Sequence, residues 1–359
     1  MQSGKPTLSI NHLGMRLDTA ESGKLISNMI DAVAKIDCLI LSGNTLGVDA
    51  SEVIAQSLSK QSTLKQAIFA DMFTGRLKTE IPKTLKFLSD AMIKADVHLE
   101  ELDLSDNAIG PMAMPGIEEF LSSSPCYSLK KLYFNNCGLG VAGITVANRL
   151  IQCKENAARA GKNFELKVFI AGRNRQENPG ASAWANCFNT LGTLERVELA
   201  QNGIKKEGFV DLANGLQGCP NLRYLNLNDN TADVLGAKAL ANAIPSLQNL
   251  EHVDIGDCLL RRGAVDVVAA LAENCYGLTT LDLSGSELTP RIADDIIEII
   301  AGAEDLVQLR HVKMGLNCFG SEFDRLVEDT ADMGIFDFGD PEDDDGELSE
   351  DDDDDLEEV

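Results

Sequence analysis

A short apolar template, LxxLxLxxNxL, recurs along the chain. Five clear copies begin at Leu99, Leu194, Leu222, Leu250 and Leu278. Looser copies begin at Ile36, Leu64, Leu129, Leu166 and Leu309. Successive starts at 166, 194, 222, 250 and 278 lie 28 residues apart, and the step from 278 to 309 is 31 residues. A repeat this regular predicts a solenoid in which neighbouring units stack and share one core.

The spacing within each copy predicts one strand and one helix per repeat. Alternating apolar residues in LxxLxL suit a strand with one buried face, and the Asn falls where the chain turns, so its amide can bond backbone groups inside the stack. Phe209, Leu212, Ala213 and Leu216 follow the i, i+3, i+4, i+7 pattern of a helix. We therefore predict an α/β leucine-rich-repeat solenoid similar to the ribonuclease-inhibitor horseshoe, with about eleven repeat units, a parallel concave sheet and convex helices.

The repeat changes character at both ends of the chain. Residues 1–35 predict a capping unit with a strand near Leu8–Ile10, and Phe323–Val327 predict the last helix. Residues 340–359 hold fourteen Asp and Glu and no Lys or Arg, so they cannot bury enough apolar area to offset the entropy of ordering. We divide the chain into a leucine-rich-repeat domain at 1–335 and a disordered acidic tail at 336–359.

Two repeats are longer than the others and carry basic residues. The second repeat loses its Asn, and its step from 64 to 99 is 35 residues, which predicts an inserted loop carrying Arg76 and Lys78. The step from 129 to 166 is 37 residues and is followed by Arg173 and Arg175. Basic loops beside an acidic body are expected to contact phosphate or an acidic surface, although a solvated loop would look the same.

Charge and motifs narrow the classes of function. The net charge is −26, which disfavours nucleic acid and favours a basic protein partner. Asp103, Glu198, Asp254 and Asp282 share one strand column and predict an acidic stripe on the concave face. No signal peptide opens the chain and no apolar run reaches the roughly 18 residues of a spanning helix. We expect an intracellular protein without a membrane span.

No motif indicates an active site of the chain's own. Gly138, Gly140 and Gly143 match GxGxxG, but the repeat places glycine at the same junction elsewhere and no Rossmann unit surrounds them. The four histidines are far apart and the nine cysteines form no CxxC pair, so we expect no metal and no cofactor. Cys137 and Cys258 replace the turn Asn, where a buried thiol is a weak hydrogen-bonding substitute.

Several segments together resemble the Ran GTPase-activating proteins. These segments are DMFTGRLKTEIP at 71–82, LDLSDNAIGP at 102–111, LYFNNCGLG at 132–140, GRNRQEN at 172–178 and QNGIKKEG at 201–208. The resemblance covers nearly the whole chain, and the chain looks like the compact fungal or protist kind. It implies a cytoplasmic or perinuclear monomer that activates Ran-GTP, with a Ran-binding protein as a further candidate partner. The GTP and Mg²⁺ would be bound by Ran.

The resemblance also implies a site. An arginine finger would be worth about 10³–10⁵ in rate, and Arg76 is the candidate from sequence alone. The family is understood to work instead through an asparagine that helps to position Ran's own glutamine, and its motif places that residue at Asn136. Arg76, Lys78, Asp106, Arg173 and Arg175 are then expected to bind Ran.

Three other classes of protein remain open. A non-catalytic binder or inhibitor similar to ribonuclease inhibitor shares the period, an acidic histone-binding leucine-rich protein shares the tail, and an enzyme with its own site is the third. The inserted loop argues against the first, the number and length of the repeats against the second, and the absence of a motif against the third.

Overall fold

The LxL segment of each repeat forms a short parallel strand in the computed structural model, which describes residues 6–344 and residue 346. The chain divides into two units, Met1–Arg175 and Gln176–Val359. The strands of the first unit are β1 Thr7–Ser9, β2 Arg16–Leu17, β3 Cys38–Ile40, β4 Thr45–Leu46, β5 Gln66–Ile68, β6 Glu101–Asp103, β7 Lys131–Tyr133 and β8 Val168–Ile170. Strands β1, β3, β5, β6, β7 and β8 lie in that order in one sheet, and β2 pairs with β4 separately.

Helices of the first unit follow their strands and pack in sequence against one another. They are α1 Ala20–Asp31, α2 Val48–Leu58, α3 Ile81–Lys94 and α4 Ala142–Arg159. The predicted capping unit is confirmed, since β1 and α1 precede the first full repeat and α1 packs on α2. The long step after Leu129 is explained by α4, which has 18 residues.

The third repeat differs from the prediction of one helix per unit. Between β6 and β7 the chain forms three 3-10 turns, Met114–Gly116, Phe120–Ser122 and Ser124–Cys126. Prolines stand near the start of two of these turns, where they suit a first turn but prevent a longer helix through it. Gly116 lies so close to α3 that a Cβ there would meet the Pro82 carbonyl oxygen at 2.3 Å, so this repeat packs directly against its neighbour.

The second unit repeats the same plan with full helices. Its strands are β9 Arg196–Glu198, β10 Tyr224–Asn226, β11 His252–Asp254, β12 Thr280–Asp282, β13 His311–Lys313 and β14 Phe336–Asp337, and they lie in that order in the sheet. Its helices are α5 Glu177–Leu191, α6 Lys206–Leu216, α7 Asp233–Ala243, α8 Gly263–Asn274, α9 Pro290–Gly302 and α10 Phe323–Thr330. Phe209, Leu212, Ala213 and Leu216 are all buried on α6, as their spacing predicts.

Aliphatic side chains fill the space between strands and helices in both units. The template leucines that open the clear copies are each 1% exposed or less. Trp184, the single tryptophan, is fully buried in α5 and stacks on Phe188 with ring centroids 5.8 Å apart. The core is therefore built by the repeat itself, with each unit closing the apolar face of the one before it.

The boundary predicted at residue 336 is wrong, because packed structure continues to Asp344. Strand β14 pairs with β13, and Phe338 is 5% exposed against the edges of Phe319 and Phe323. The Asp344 carboxylate accepts hydrogen bonds from the backbone N–H groups of Phe319 and Gly320, at 2.8 and 2.9 Å. Two phenylalanines just before the acidic run supply the apolar area that the run lacks. Residue 345 and the rest of the predicted tail, 347–359, lie outside the described residues.

Candidate functional site

The turns after β6, β7 and β8 each hold an exposed residue in a left-handed backbone conformation. These residues are Asp106, Asn136 and Arg173, with φ of 59°, 53° and 58°. Each lies just before the buried turn position of its repeat, and each is exposed. This left-handed region is sparsely populated by residues other than glycine, so the conformation must be held by neighbouring bonds.

The buried turn positions supply those bonds. The Asn107 amide nitrogen donates to the carbonyl oxygens of Phe69 and Leu104, at 2.8 and 2.9 Å, and its oxygen accepts from Met72 N–H at 2.8 Å. Asn174, one repeat beyond Cys137, makes equivalent bonds. Its amide nitrogen donates to the carbonyl oxygens of Phe134 and Ala171, and its amide oxygen accepts from the Cys137 N–H at 2.9 Å. The prediction that the turn Asn bonds backbone groups inside the stack is confirmed, and we call this series of bonds the amide ladder.

Cys137 takes the place of the turn Asn, as the sequence predicts. Its Sγ donates to the Leu104 carbonyl oxygen at 3.1 Å, the same oxygen that Asn107 binds. Burial raises the pKa of this thiol to about 12, so it stays protonated and can donate. The turn beside Asn136 therefore keeps its hydrogen bond although the amide is missing.

Asn136 and Asp106 lie side by side on the surface. The Asn136 Nδ2 donates to Asp106 Oδ1 at 2.9 Å, and the Asn136 backbone N–H donates to the Gly172 carbonyl oxygen at 2.9 Å. One amide hydrogen and the amide oxygen of Asn136 have no hydrogen-bond partner among residues 6–344. The side chain is thus held by Asp106 and still has a donor and an acceptor for a partner molecule.

Lys78 joins these two residues at one cavity. A cavity of about 590 Å³ is lined by Lys78, Asp106 and Asn136, together with a mainly apolar wall. Lys78 is exposed, and in the part of the chain that the structure describes it makes no ion pair. The structure therefore brings together three of the six residues predicted for the site.

Arg76 points away from this cavity and is held inside the first unit. Its side chain is 7% exposed and pairs with Asp18 at 2.5 Å between Nη1 and Oδ1. Its Nε donates to Thr45 Oγ1 at 2.7 Å and its Nη2 to the Thr45 carbonyl oxygen at 2.8 Å. Hydrogen bonds from Arg16 and then Arg76 lower the pKa of Asp18, so this carboxylate stays ionised at neutral pH. Arg76 ties the inserted loop to the edge formed by β2 and β4.

The inserted loop has further internal bonds. Thr45 Oγ1 donates to the Thr74 carbonyl oxygen at 2.9 Å, and Thr74 Oγ1 donates to Asp71 Oδ1 at 2.6 Å. Glu80 Oε2 accepts from the Leu77 N–H at 2.9 Å, just before α3 begins. The loop that carries Lys78 is therefore built into the fold at both ends.

Arg173 and Arg175 lie one repeat beyond Asn136 and do not line the cavity. Both are exposed with left-handed φ, and neither guanidinium forms an ion pair with a described residue. Arg173 holds in its repeat the position that Asn136 and Asp106 hold in theirs. The three residues thus form one row of adjacent turns.

The predicted acidic stripe is divided between the two units. Glu198, Asp254 and Asp282 share a row in the second unit, with Asn226 between the first two, whereas Asp103 lies in the first unit between Ile68 and Tyr133. Burial, followed by the charge of Asp282, raises the pKa of Asp254. Lys313 follows Asp282 in the row and forms an ion pair with it at 3.0 Å, and Asp337 comes next.

Sequence reasoning missed the apolar part of the site. Ala108, Pro111, Met112 and Ala113 line the cavity, and Met112 is 60% exposed. The signal was present in the sequence, because Pro111 and Met112 fall where other repeats begin their helix. These residues lie directly before the first of the three 3-10 turns of this repeat.

Comparison with known proteins defines the class of this chain first. Residues 96–111 and 218–241 match the Leucine Rich repeat family. The chain is a leucine-rich-repeat protein, as both its strand–turn–helix plan and its amide ladder require. No helix among the described residues is long and apolar enough to cross a membrane.

Similar proteins define the family. The chain is 38% identical to Ran GTPase-activating protein 2 of Caenorhabditis elegans over 352 residues, which is 96% of this chain and 36% of that protein. It is 34% identical to Ran GTPase-activating protein 1 of Saccharomyces cerevisiae over 268 residues, or 72% of this chain and 65% of that one. A Xenopus laevis Ran GTPase-activating protein 1 is 45% identical over 202 residues, or 56% and 35%. The chain belongs to the Ran GTPase-activating protein family, and it spans about a third of the length of the frog and nematode proteins.

Proposed function

We propose that this chain stimulates GTP hydrolysis by Ran and that the hydrolytic site belongs to Ran. The relatives that carry this activity in their names align with up to 96% of the chain. The observation that carries the proposal is the exposed amide of Asn136, fixed by Asp106 at the edge of an open cavity. An activator needs such a group on its surface, because it has to reach into another protein's site.

In this proposal Asn136 acts by orienting Ran's glutamine, and it adds no charge to the site. GTP hydrolysis requires a glutamine of the GTPase to be held against the attacking water while charge develops on the phosphoryl group. A neutral amide that is already oriented can hold that glutamine without paying for its own ordering. Asp106 supports this role by fixing one hydrogen of the amide and leaving its remaining donor and acceptor for Ran.

We do not assign Arg76 as an arginine finger, because its guanidinium already binds Asp18 and Thr45. Arg173, Arg175 and Lys78 are exposed cations without ion pairs among the described residues, and we assign them to docking Ran. Asp106 belongs to the same footprint through Asn136. Ran would bring GTP and Mg²⁺, and the chain needs no cofactor of its own. A cytoplasmic or perinuclear site of action, a monomeric state and a Ran-binding protein as an additional partner are parts of the same proposal.

Asn136→Ala tests the proposal. In single-turnover hydrolysis by purified Ran-GTP, we expect the rate at saturating activator to fall at least about 100-fold, as for loss of one oriented hydrogen-bonding group. The affinity for Ran should change less than about threefold, because an interaction made mainly in the transition state affects the rate and not the binding of the activator.

A matched control is available in the second unit. Gln201 has the same left-handed turn position, is exposed, and donates from its amide to Asp229 Oδ2 at 2.5 Å. Gln201→Ala should leave the saturated rate unchanged. Full activity of Asn136→Ala would remove Asn136 from its assigned role. A saturated rate that collapses in Arg173→Ala or Arg175→Ala would restore an arginine finger.

A further inference from the structure

The cavity beside Asn136 has more apolar wall than its polar residues require. Lys78, Asp106 and Asn136 line it, but Ala108, Pro111, Met112 and Ala113 also line it. The Asn136 amide and the Asp106 carboxylate already bind each other. Few polar groups are therefore left to hold a polar ligand, and the larger part of the wall suits an apolar one.

Large apolar side chains are exposed in the cavity lining and close to it in sequence. Leu77, next to Lys78, is 68% exposed, and Met112 is 60% exposed. Val141 is 67% exposed and holds, in the next repeat, the position that Pro111 has here, since Leu102 and Leu132 are partners in the sheet. An exposed apolar side chain such as Met112 in the wall of a concavity favours a protein-binding site.

The cavity is formed before any partner arrives. A Cβ on Gly110 would meet the Gly138 carbonyl oxygen at 2.8 Å, so the two turns that line the cavity touch each other directly. The Ile109 N–H donates to the Cys137 carbonyl oxygen at 2.9 Å, which fixes the same two turns. A rigid pocket loses little entropy when it binds, which favours its use as an anchor site.

We propose that this cavity receives an apolar side chain from the loop of Ran that faces its bound nucleotide, with Met112 as part of the wall that contacts it. The inference rests on the proposed function, because Asn136 lines the same cavity and places that loop beside it. Anchoring of one side chain here would strengthen the binding of Ran to the surface that carries the Asn136 amide. Exposed Lys78 and Arg173, the cations assigned above to docking Ran, lie on the repeats before and after the Asp106–Asn136 pair.

Two variants test the cavity in different ways. Met112→Glu places a charge against the apolar wall, and Ala108→Trp fills the space. For each, the half-saturating concentration in single-turnover hydrolysis by Ran-GTP should rise at least about tenfold, equivalent to about 1.4 kcal/mol. The saturated rate should stay within about twofold, because the amide itself is unchanged. Affinity for Ran loaded with a non-hydrolysable GTP analogue should fall by the same factor.

Conservative and distant variants act as controls. Met112→Leu keeps an apolar side chain and should retain the affinity of the unmodified chain. Leu235→Glu introduces the same charge at another exposed apolar position, 51% exposed on α7, and should also bind normally. All four variants change surface positions, and their unfolding temperatures should match that of the unmodified chain.

Three results would overturn the inference. Unchanged half-saturation in both Met112→Glu and Ala108→Trp would show that the cavity holds no part of Ran. An unmodified chain that is dimeric and becomes monomeric in Met112→Glu, with unaltered Ran kinetics, would assign the patch to a second copy of the chain. Failure of the unmodified chain to stimulate Ran would remove the proposed function, and this inference with it.

Discussion

Left-handed backbone at the strand-to-helix turns places side chains outward in repeat after repeat. Asn and Asp tolerate this conformation better than other side chains, and they occupy it at Asp106, Asn136, Asp229 and Asp257. The left-handed backbone alone would therefore be enough to explain why residue 136 is Asn. Its assigned function depends on the additional facts that it is exposed, bonded to Asp106 and placed at a cavity.

Arg76 gives a prediction at the scale of single residues. If it acts by tying the inserted loop to Asp18 and Thr45, Arg76→Ala should raise the half-saturating concentration for Ran roughly tenfold, since hydrogen bonds to charged groups contribute on the order of 1.5–3 kcal/mol. The saturated rate should be recovered at high activator concentration. Single-turnover hydrolysis over a range of activator concentrations measures both quantities.

Asp18→Asn separates this tether from an arginine finger. A tether predicts a smaller defect of the same kind in Asp18→Asn, and little further loss when both substitutions are combined. An arginine finger predicts that Asp18→Asn is harmless and that Arg76→Ala fails even at saturation. The second pattern would refute the tether.

The site was only partly predictable at this scale. The sequence placed Asn136, Asp106 and Lys78 on neighbouring repeats, and the repeat register was enough to expect that they meet. It could not show where Arg76 points, because Asp18 and Thr45 are 58 and 31 residues away and reach it through the small β2–β4 sheet. That sheet has only two residues per strand, which is too short to give an alternating pattern.

Residues at the same position of successive strands form rows of side chains across the sheet. In the second unit, the row of Asp254 and Asp282 brings like charges together, and the Tyr224 ring stacks on His252 at a centroid distance of 4.2 Å in the row beside it. Arg196 lies 3.8 Å above the Tyr224 ring. The acidic row was predictable from the period alone, whereas the stacking required the side-chain positions.

Asp254 gives a pH-dependent prediction at this scale. Its pKa is raised above its ordinary value of 3.8 in the folded protein. The folded state therefore binds the proton more tightly than the unfolded state, so ionisation of Asp254 costs stability as the pH rises through this range. Asp254→Asn should raise the unfolding temperature at pH 7, and the gain should shrink as the pH falls towards 3.8 and below.

Thermal unfolding at several pH values measures this effect. The substitution keeps the oxygen that accepts from Asn228 Nδ2 at 3.1 Å. Asp266→Asn, at an exposed position in the first turn of α8, removes the same charge and should show no such gain. A lower unfolding temperature for Asp254→Asn at neutral pH would contradict the prediction.

Helices were the less predictable elements. The regular 28-residue period from 166 to 278 predicted most helices of the second unit. The third repeat has nearly that length, yet it turns through three 3-10 segments, and prolines stand near the start of two of them. The cavity-lining residues Pro111, Met112 and Ala113 lie directly before the first of these segments.

Across the whole molecule, each unit has its own stacked strands and helices, and the proposed site lies entirely in the first. The second unit ends in an aromatic group of Phe319, Phe323 and Phe338 capped by Asp344. The acidic composition of the last twenty residues indicated disorder for the predicted tail as a whole. It could not show that Phe338 packs against Phe319 and Phe323, or that the Asp344 carboxylate accepts from the Phe319 and Gly320 N–H groups.

The cysteines of the repeats also serve as built-in reporters of local opening. All nine are buried, and burial raises the pKa of Cys137, Cys153, Cys258 and Cys275 to about 12. Thiolates are the reactive form, so alkylation of the native protein should be very slow at neutral pH. Each thiol becomes reactive only when its own repeat separates from its neighbours. Mass spectrometry of the alkylated peptides over time would then show the order in which repeats detach, without any engineered label.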